Sequence, residues 1–317
     1  MTESSDRSLA TVLLTTHLLR RPEDPLSPKE FSELVQSIGD PARLLGSDAV
    51  RIQSLTGFGE TEVQRLAALL DGAEALEAER DRLGASGIRI LSRFDEGYPD
   101  RLLDRLGTAA PPVLHVAGDP DLLSADGVGI VGSRSVGREA REAAEEVARA
   151  SVSAGLSVVS GAAKGIDQTA MAAALQAGGN VVGLPADSLE RLLRDPSLGE
   201  ALEAGRLCLA TPYAPSAGFS VGAAMGRNKL VYGLSQVTLV VTSDDGSGGT
   251  WAGATEALQR NIAPVAVWMG PGAGPGNAKL VRKGGVEVQS AEQVLEIARQ
   301  RESHTQTTAE SQLRMVF

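Results

Sequence analysis

Four glycine-containing segments of this sequence carry side chains able to hold an anion. They are Ile130-Val131-Gly132-Ser133-Arg134, Ser160-Gly161-Ala162-Ala163-Lys164-Gly165-Ile166-Asp167, Gly226-Arg227-Asn228-Lys229 and Ser243-Asp244-Asp245-Gly246-Ser247-Gly248-Gly249-Thr250. Glycines let main-chain amides approach a ligand closely, and a helix starting just beyond such a turn favours negative charge at its N-terminus. Arg134, Lys164, Arg227 and Lys229 add fixed positive charge, and Ser133, Ser160 and Asn228 add neutral donors. Any one of these is most simply a solvated surface group. Four cations beside glycine turns form a pattern that suits a run of phosphates, whereas a lone small anion would need fewer. Asp167 is an acid within this basic set. A carboxylate at a helix N-terminus more often caps or orients than reacts.

Other chemistries fail on detail. The first loop reads Gly129-x-x-Gly132-x-x-x-x-Gly137 in place of the dinucleotide-binding G-x-G-x-x-G, and the second strand ends in Ser160 where a ribose-binding acid would stand. No G-x-x-x-x-G-K-[ST] occurs, so a nucleoside-triphosphatase is unsupported. His17, His115 and His304 stand outside the glycine loops, which leaves no His-based triad or metal set there. Cys208 is the single cysteine, so no internal disulfide forms. No cofactor is called for.

The elements that must position these loops follow from hydrophobic period. Short apolar strands at Gly127–Val131, Leu156–Val159, Asn180–Leu184, Thr238–Val241 and Pro264–Met269 alternate with helices at Arg138–Ala154 and Gly165–Ala177, with a final helix at Ser290–Arg301. Repeated βα units predict an α/β fold: a Rossmann-like, mostly parallel sheet with helices on both faces. Ligands of such sheets collect at the carboxyl ends of the strands, where three of the four segments follow or adjoin a strand and the fourth precedes one. Upstream, Gly87–Leu91 is a short strand, and Pro111-Pro112 predicts an extended segment leading into a sheet edge. Residues 1–80 read as a small helical domain, with Ser27 capping a helix that has Pro28 at its first position. Leu55-Thr56-Gly57-Phe58-Gly59 resembles the turn of a helix-hairpin-helix, as in SAM-like domains. The expected division is 1–80 helical, 81–302 Rossmann-like and 303–317 a polar, flexible tail.

Composition bounds the setting. The chain has 317 residues, 42% hydrophobic but only 3% aromatic, so Ala, Leu and Val must fill the core. No apolar run approaches a membrane span, the N-terminus lacks signal-peptide character, and one cysteine fits a reducing compartment. A cytoplasmic protein without membrane contact is expected. The formal charge of −10 excludes a non-specific DNA coat, yet a local basic groove still holds phosphates on an acidic protein.

With the loops in order, residues 98–298 resemble the DNA-processing protein A (DprA/Smf) family. Its lead-in is seen in Tyr98-Pro99, Pro111-Pro112-Val113-Leu114 and Gly118; its VGSR loop is Val131–Arg134; its SGxAxGID loop is Ser160–Asp167. Its RN[RK]xxxxLS stretch is Arg227-Asn228-Lys229 through Ser235, and its SGxxxTAxxAL segment is loosely Ser247–Leu258. The resemblance implies that Gly132, Ser133, Arg134, Ser160, Gly161, Lys164, Arg227, Asn228 and Lys229 contact the backbone of single-stranded DNA. It also implies a homodimer that hands the strand to a RecA-type recombinase. The family's Arg and His of the second loop are Lys164 and Met171 here, and its Phe-Pro is Phe219-Ser220. Lys keeps the charge of Arg but loses its bidentate fork.

Two alternatives stay open. Gly248-Gly249-Thr250 resembles the phosphate loop of the lysine-decarboxylase-like (LOG) nucleotide hydrolases, although Gly253 stands where their catalytic Glu belongs; a general nucleotide-sensing module is the other. Gln312-Leu313-Arg314-Met315-Val316-Phe317 resembles the peptides that dock into the bacterial sliding clamp, which makes the clamp a candidate partner.

Overall fold

A computed structural model describes residues 3–300. The flexible tail and the clamp-type peptide read from the sequence lie outside the described residues. The N-terminal region is helical, with α1 (Glu3–Thr15), α2 (Pro28–Ile38), α3 (Ala49–Thr56), α4 (Glu60–Leu70) and α5 (Ala73–Ala85). Ser27 starts α2 through a reciprocal box: its hydroxyl accepts from the Glu30 amide at 3.3 Å, and the Glu30 carboxylate accepts from the Ser27 amide at 2.7 Å. Phe31, Leu34 and Ile38 then share one buried face and pack with Leu44, Ile52 and Leu66. Gly57 turns left-handed at φ 70° to end α3, and Gly59 precedes α4, so the Gly-Phe-Gly turn does join two helices. The division drawn at residue 80 falls inside α5. Val12 and Leu13 of α1 also pack on Leu76 and Val113, so the helical region is joined to the sheet by a shared apolar cluster.

The rest of the chain supplies β1 (Ile88–Ser92), α6 (Asp100–Leu106), β2 (Val113–Gly118), β3 (Gly127–Gly132), α7 (Arg138–Ser153), β4 (Ser157–Ser160) and α8 (Ile166–Gln176). There follow β5 (Val181–Gly183), α9 (Leu189–Leu192), α10 (Gly199–Glu203), β6 (Leu207–Thr211), α11 (Val221–Leu234), β7 (Val237–Thr242), α12 (Gly248–Gln259), β8 (Val265–Trp268), α13 (Asn277–Arg282) and β9 (Val286–Val288). A last helix, α14, occupies residues 291–300. The strands form one sheet in the order β1-β2-β6-β5-β4-β3-β7-β8-β9. From β6 to β9 all neighbours are parallel, while β2 joins β6 and β1 joins β2 antiparallel. Helices α7, α8 and α14 cover one face, and α6, α11, α12 and α13 the other. The α/β reading with a mostly parallel sheet therefore holds.

Three readings change. The Pro111-Pro112 segment leads into an interior strand, β2, buried and paired on both sides; β1 is the edge. Strands β6 and β9 were not anticipated. Residues 226–229 are helical, within α11, rather than a glycine loop. Among the described residues no helix is long and apolar enough to cross a membrane.

The sheet order fixes where a ligand can sit. From β3 the chain steps through β4, β5 and β6 to one side, then crosses back to β7, β8 and β9 on the other. The loops leaving β3 and β7 therefore diverge to opposite sides, and a crevice opens between them at the carboxyl ends.

Candidate nucleic-acid interface

The crevice is a cleft of about 740 Å³, with Gly132, Ser133, Arg134, Asp167, Arg227, Asn228, Tyr232 and residues 246–252, the turn and first residues of α12, among its walls. It begins where the pairing of β3 with β7 shifts register between Val131 and Gly132. Beyond that irregularity Ser133 stays tied to β7: its amide donates to the Thr242 carbonyl at 3.0 Å and its hydroxyl to the same oxygen at 3.4 Å. Arg134 is then free to project. Its side chain is exposed, joins no salt bridge among the described residues, and lies over the Phe219 ring with the guanidinium carbon 4.9 Å from the centroid.

Glycines let the first two loops and α11 come together. At Gly132 a β-carbon would lie 2.5 Å from Cγ1 of Ile166, so α8 could not pack where it does. Gly165 adopts φ +88°, and a β-carbon there would strike the Ser133 carbonyl oxygen and lie 2.6 Å from that of Arg134. At Gly161 a β-carbon would collide with Nη1 of Arg227. The guanidinium of a residue from α11 thus lies directly on the second glycine loop.

Beneath the cleft sits a buried charge pair. Arg227 is 4% exposed and Asp167 5%. Burial pushes the Asp167 carboxyl up to about 6, opposed by the Arg227 charge and by the amides of Ala163, Gly132 and Gly161. Burial likewise lowers Arg227 from its usual range, opposed chiefly by Asp167. The Nε of Arg227 and the hydroxyl of Tyr232 have no hydrogen-bond partner among the described residues. Burial also raises the Tyr232 hydroxyl, and the nearby Asp167 charge adds to this. Two donors are therefore held dry and unsatisfied at the floor of an open cleft, a costly arrangement unless a ligand accepts from them.

The remaining sequence candidates are distributed unequally. The Asn228 amide donates to the Gly249 carbonyl at 3.0 Å and closes α11 on the start of α12. The Ser160 hydroxyl is fully buried and donates to the Ile130 carbonyl at 2.6 Å, so it locks β4 to β3 and cannot meet a ligand. Gly161 lies below the cleft. Lys164 is exposed and Lys229 half-buried; neither forms a salt bridge among the described residues, and neither lines the cleft. Of the four cations read from the sequence, Arg134 and Arg227 reach it. Asp244, also in the lining, adds an acid at its edge.

Several lining residues escaped the sequence reading. Val221, Met225 and Tyr232 are among them; with Asn228, already a candidate, they are spaced 4, 3 and 4 residues apart along α11 and present one helical face to the cleft. That spacing was available once the segment was known to be helical. Trp251 lines the opposite side with the Lys283 ammonium 5.8 Å from its ring, a cation not anticipated. Phe219, Val221 and Met225 remain exposed at 47%, 68% and 46%, an apolar rim above the polar floor.

Residues 89–299 match the family DNA recombination-mediator protein A. Protein Smf of Synechocystis is 27% identical over 208 residues, covering 63% of this chain and 50% of that protein. DNA processing protein DprA of Bacillus subtilis is 30% identical over 191 residues, covering 59% of this chain and 64% of its own length. The chain thus matches only half to two thirds of these relatives. The crystal structure of DprA from Streptococcus pneumoniae superposes with a TM-score of 0.71 at 22% identity, covering 93% of this chain and 98% of that one. DNA processing protein A from Helicobacter pylori, described for its single-stranded DNA binding mode, superposes with a TM-score of 0.56 at 22% identity, over 67% and 96% of the two chains. With the family match spanning most of the sheet and both glycine loops, the chain belongs to the DNA recombination-mediator protein A family.

Proposed function

We propose that the cleft binds single-stranded DNA and that the protein is a recombination mediator without covalent chemistry of its own. One observation carries the reading: cations and unsatisfied donors line the floor, while an apolar rim of Phe219, Val221 and Met225 stands exposed above them. A single strand offers the matching pair of features, phosphates on one side and unpaired base faces on the other. A duplex hides its base faces, and a narrow cleft would clash with its second strand. Phosphate contacts position a strand without reading it, so sequence preference is weak. That a relative from Helicobacter pylori binds single-stranded DNA supports the reading.

The nucleotide-hydrolase alternative loses its acid. Gly253 itself carries no side chain, a β-carbon there would crowd Cβ of Asn228 at 3.1 Å, and Glu256, one turn on, pairs with Arg260 at 3.1 Å. Transfer of the strand to a RecA-type recombinase, homodimerisation and docking of Gln312–Phe317 on a sliding clamp are further parts of the proposal. Light scattering that reads the monomer mass of 32.9 kDa at micromolar concentration would reject the homodimer.

The decisive experiment is fluorescence anisotropy of labelled oligo-dT and its duplex across a salt series, for wild type and Arg134→Ala. We expect preference for the single strand, and a log–log salt slope about 0.7 shallower in the variant, which neutralises one phosphate fewer. Equal binding of duplex, or an unchanged slope in Arg134→Ala, rejects the proposed cradle.

A further inference from the structure

The charged side chains that line the DNA cleft cancel. Arg134 and Arg227 bring two positive charges, and Asp167 and Asp244 bring two negative ones, so with both acids ionised the lining is neutral. A run of phosphates gains little net attraction from such a lining unless one acid gives up its charge. The two acids differ in their surroundings. Asp244 is exposed, and water stabilises its carboxylate. Asp167, in the first turn of α8, is 5% exposed beneath the cleft floor.

The groups around Asp167 come from both glycine loops and from α11. The Ala163 amide donates to its carboxylate at 3.4 Å, and the amides of Gly132 and Gly161 also face it. A β-carbon at Gly161 would lie 2.5 Å from its Oδ2 and would collide with Nη1 of Arg227, which places the carboxylate and the guanidinium together over one glycine. The Tyr232 hydroxyl is close enough to sense the same carboxylate. Tyr213 and Arg134 stand near Arg227, and Lys164 of the second loop is exposed. Burial outweighs these partners and pushes the Asp167 carboxyl up to about 6. A phosphate drawn to Arg227 brings a like charge toward Asp167 and competes with it for the guanidinium. Both effects disfavour the ionised carboxylate further.

We propose that the strand seats with uptake of a proton by Asp167, which leaves Arg227 uncompensated and gives the cleft lining a net positive charge. The inference rests on the single-strand reading above.

The test is calorimetric titration of the full chain with oligo-dT at pH 6.5 in two buffers of unlike ionisation enthalpy, for wild type and Asp167→Asn, with anisotropy at pH 5 and pH 8. Thymine does not titrate between these values. A rise of about one unit at Asp167 in the complex gives wild type an uptake of about half a proton at pH 6.5, and binding about tenfold weaker at pH 8 than at pH 5. Asp167→Asn should take up no proton, lose the pH dependence, and bind about tenfold more tightly than wild type at pH 8. A residue that only held the loops together would weaken binding at both pH values when replaced, and that result overturns the inference. So does wild type that binds the strand without proton uptake. Histidine is the other side chain that exchanges protons near neutral pH. A variant carrying His17→Gln and His304→Gln therefore keeps the test open should Asp167→Asn fail to fold: uptake should persist in it, and its loss would assign the proton to a histidine. Failure of wild type to bind any strand at low salt would instead overturn the single-strand reading, and the proton uptake with it.

Discussion

Replacing Tyr232 by phenylalanine should stabilise the protein while weakening its grip on DNA. The side chain is 1% exposed, lines the cleft floor, and its hydroxyl has no partner among the described residues. An unsatisfied buried hydroxyl costs about 1–3 kcal/mol, and phenylalanine removes that cost while keeping the ring packed. Unfolding entropy of about 2.1 cal/mol/K per residue gives about 0.67 kcal/mol/K for 317 residues, so Tm should rise by about 1.5–4.5 °C. On the proposed single-strand reading, the strand seats against the floor closely enough to bring this hydroxyl into reach, and it donates to a phosphate. A hydrogen bond to a charged acceptor is worth about 1.5–3 kcal/mol, so oligo-dT affinity should fall about 10- to 150-fold. Because no charge is removed, the salt slope should not move, which separates this variant from Arg134→Ala. Scanning calorimetry and anisotropy read the two effects. A lower Tm would mean that the hydroxyl is already satisfied in the free protein. Unchanged DNA affinity would mean that it does not face the strand.

Asp167 makes stability depend on pH in an unusual direction. Its carboxyl titrates at about 6 in the fold against 3.8 as a free side chain, so the folded state holds the extra proton between those values. That contribution is complete below about pH 4 and is lost as pH rises through about 6, a swing on the order of 3 kcal/mol. Urea denaturation at several pH values should show wild type losing stability relative to Asp167→Asn across this window; parallel profiles would refute the shift. Gly165→Ala should cost about 2–6 kcal/mol, from the strain of φ +88° plus collision with two carbonyls, whereas Gly137→Ala, with open space around it, should stay within about 0.5 kcal/mol. Comparable Tm values for the two variants would show that the loops can separate freely. Deleting Gln312–Phe317 should abolish capture by immobilised sliding clamp and spare oligo-dT binding; undiminished capture rejects that partner.

Much of this protein was legible along the chain, for local reasons. Ser27, Pro28 and Glu30 specify a helix start by hydrogen bonds within four residues, and Gly57-Phe58-Gly59 specifies a turn by backbone freedom alone. Val-rich strands alternating with helices imply a parallel sheet, and the glycine turns after β3 and β4 mark its ligand-bearing edge. Other features depend on partners distant in sequence. β2 reads as an edge because of its prolines, but β6 pairs with it across some ninety residues and makes it interior. Arg227-Asn228-Lys229 reads as a glycine loop because Gly222, Gly226 and Gly233 depress helix propensity. In the fold, Gly226 admits the Tyr213 hydroxyl and Gly233 the Leu102 side chain, so packing overrides propensity.

The sequence by itself determined which residue types could meet a phosphate, since charge and hydrogen-bonding capacity belong to the side chain alone. Only the tertiary structure decided their roles. Arg134 became a free, exposed cation because β3 and β7 part after Gly132, and Ser160 became a strand-to-strand lock because its hydroxyl lies 2.6 Å from the Ile130 carbonyl. Arg227 became a buried charge near the Asp167 carboxylate, and Tyr232 a buried hydroxyl without a partner among the described residues. Burial and geometry arise from contacts between elements that neighbouring residues do not encode. The same arginine is a solvated charge on one surface and a ligand-seeking one beneath another.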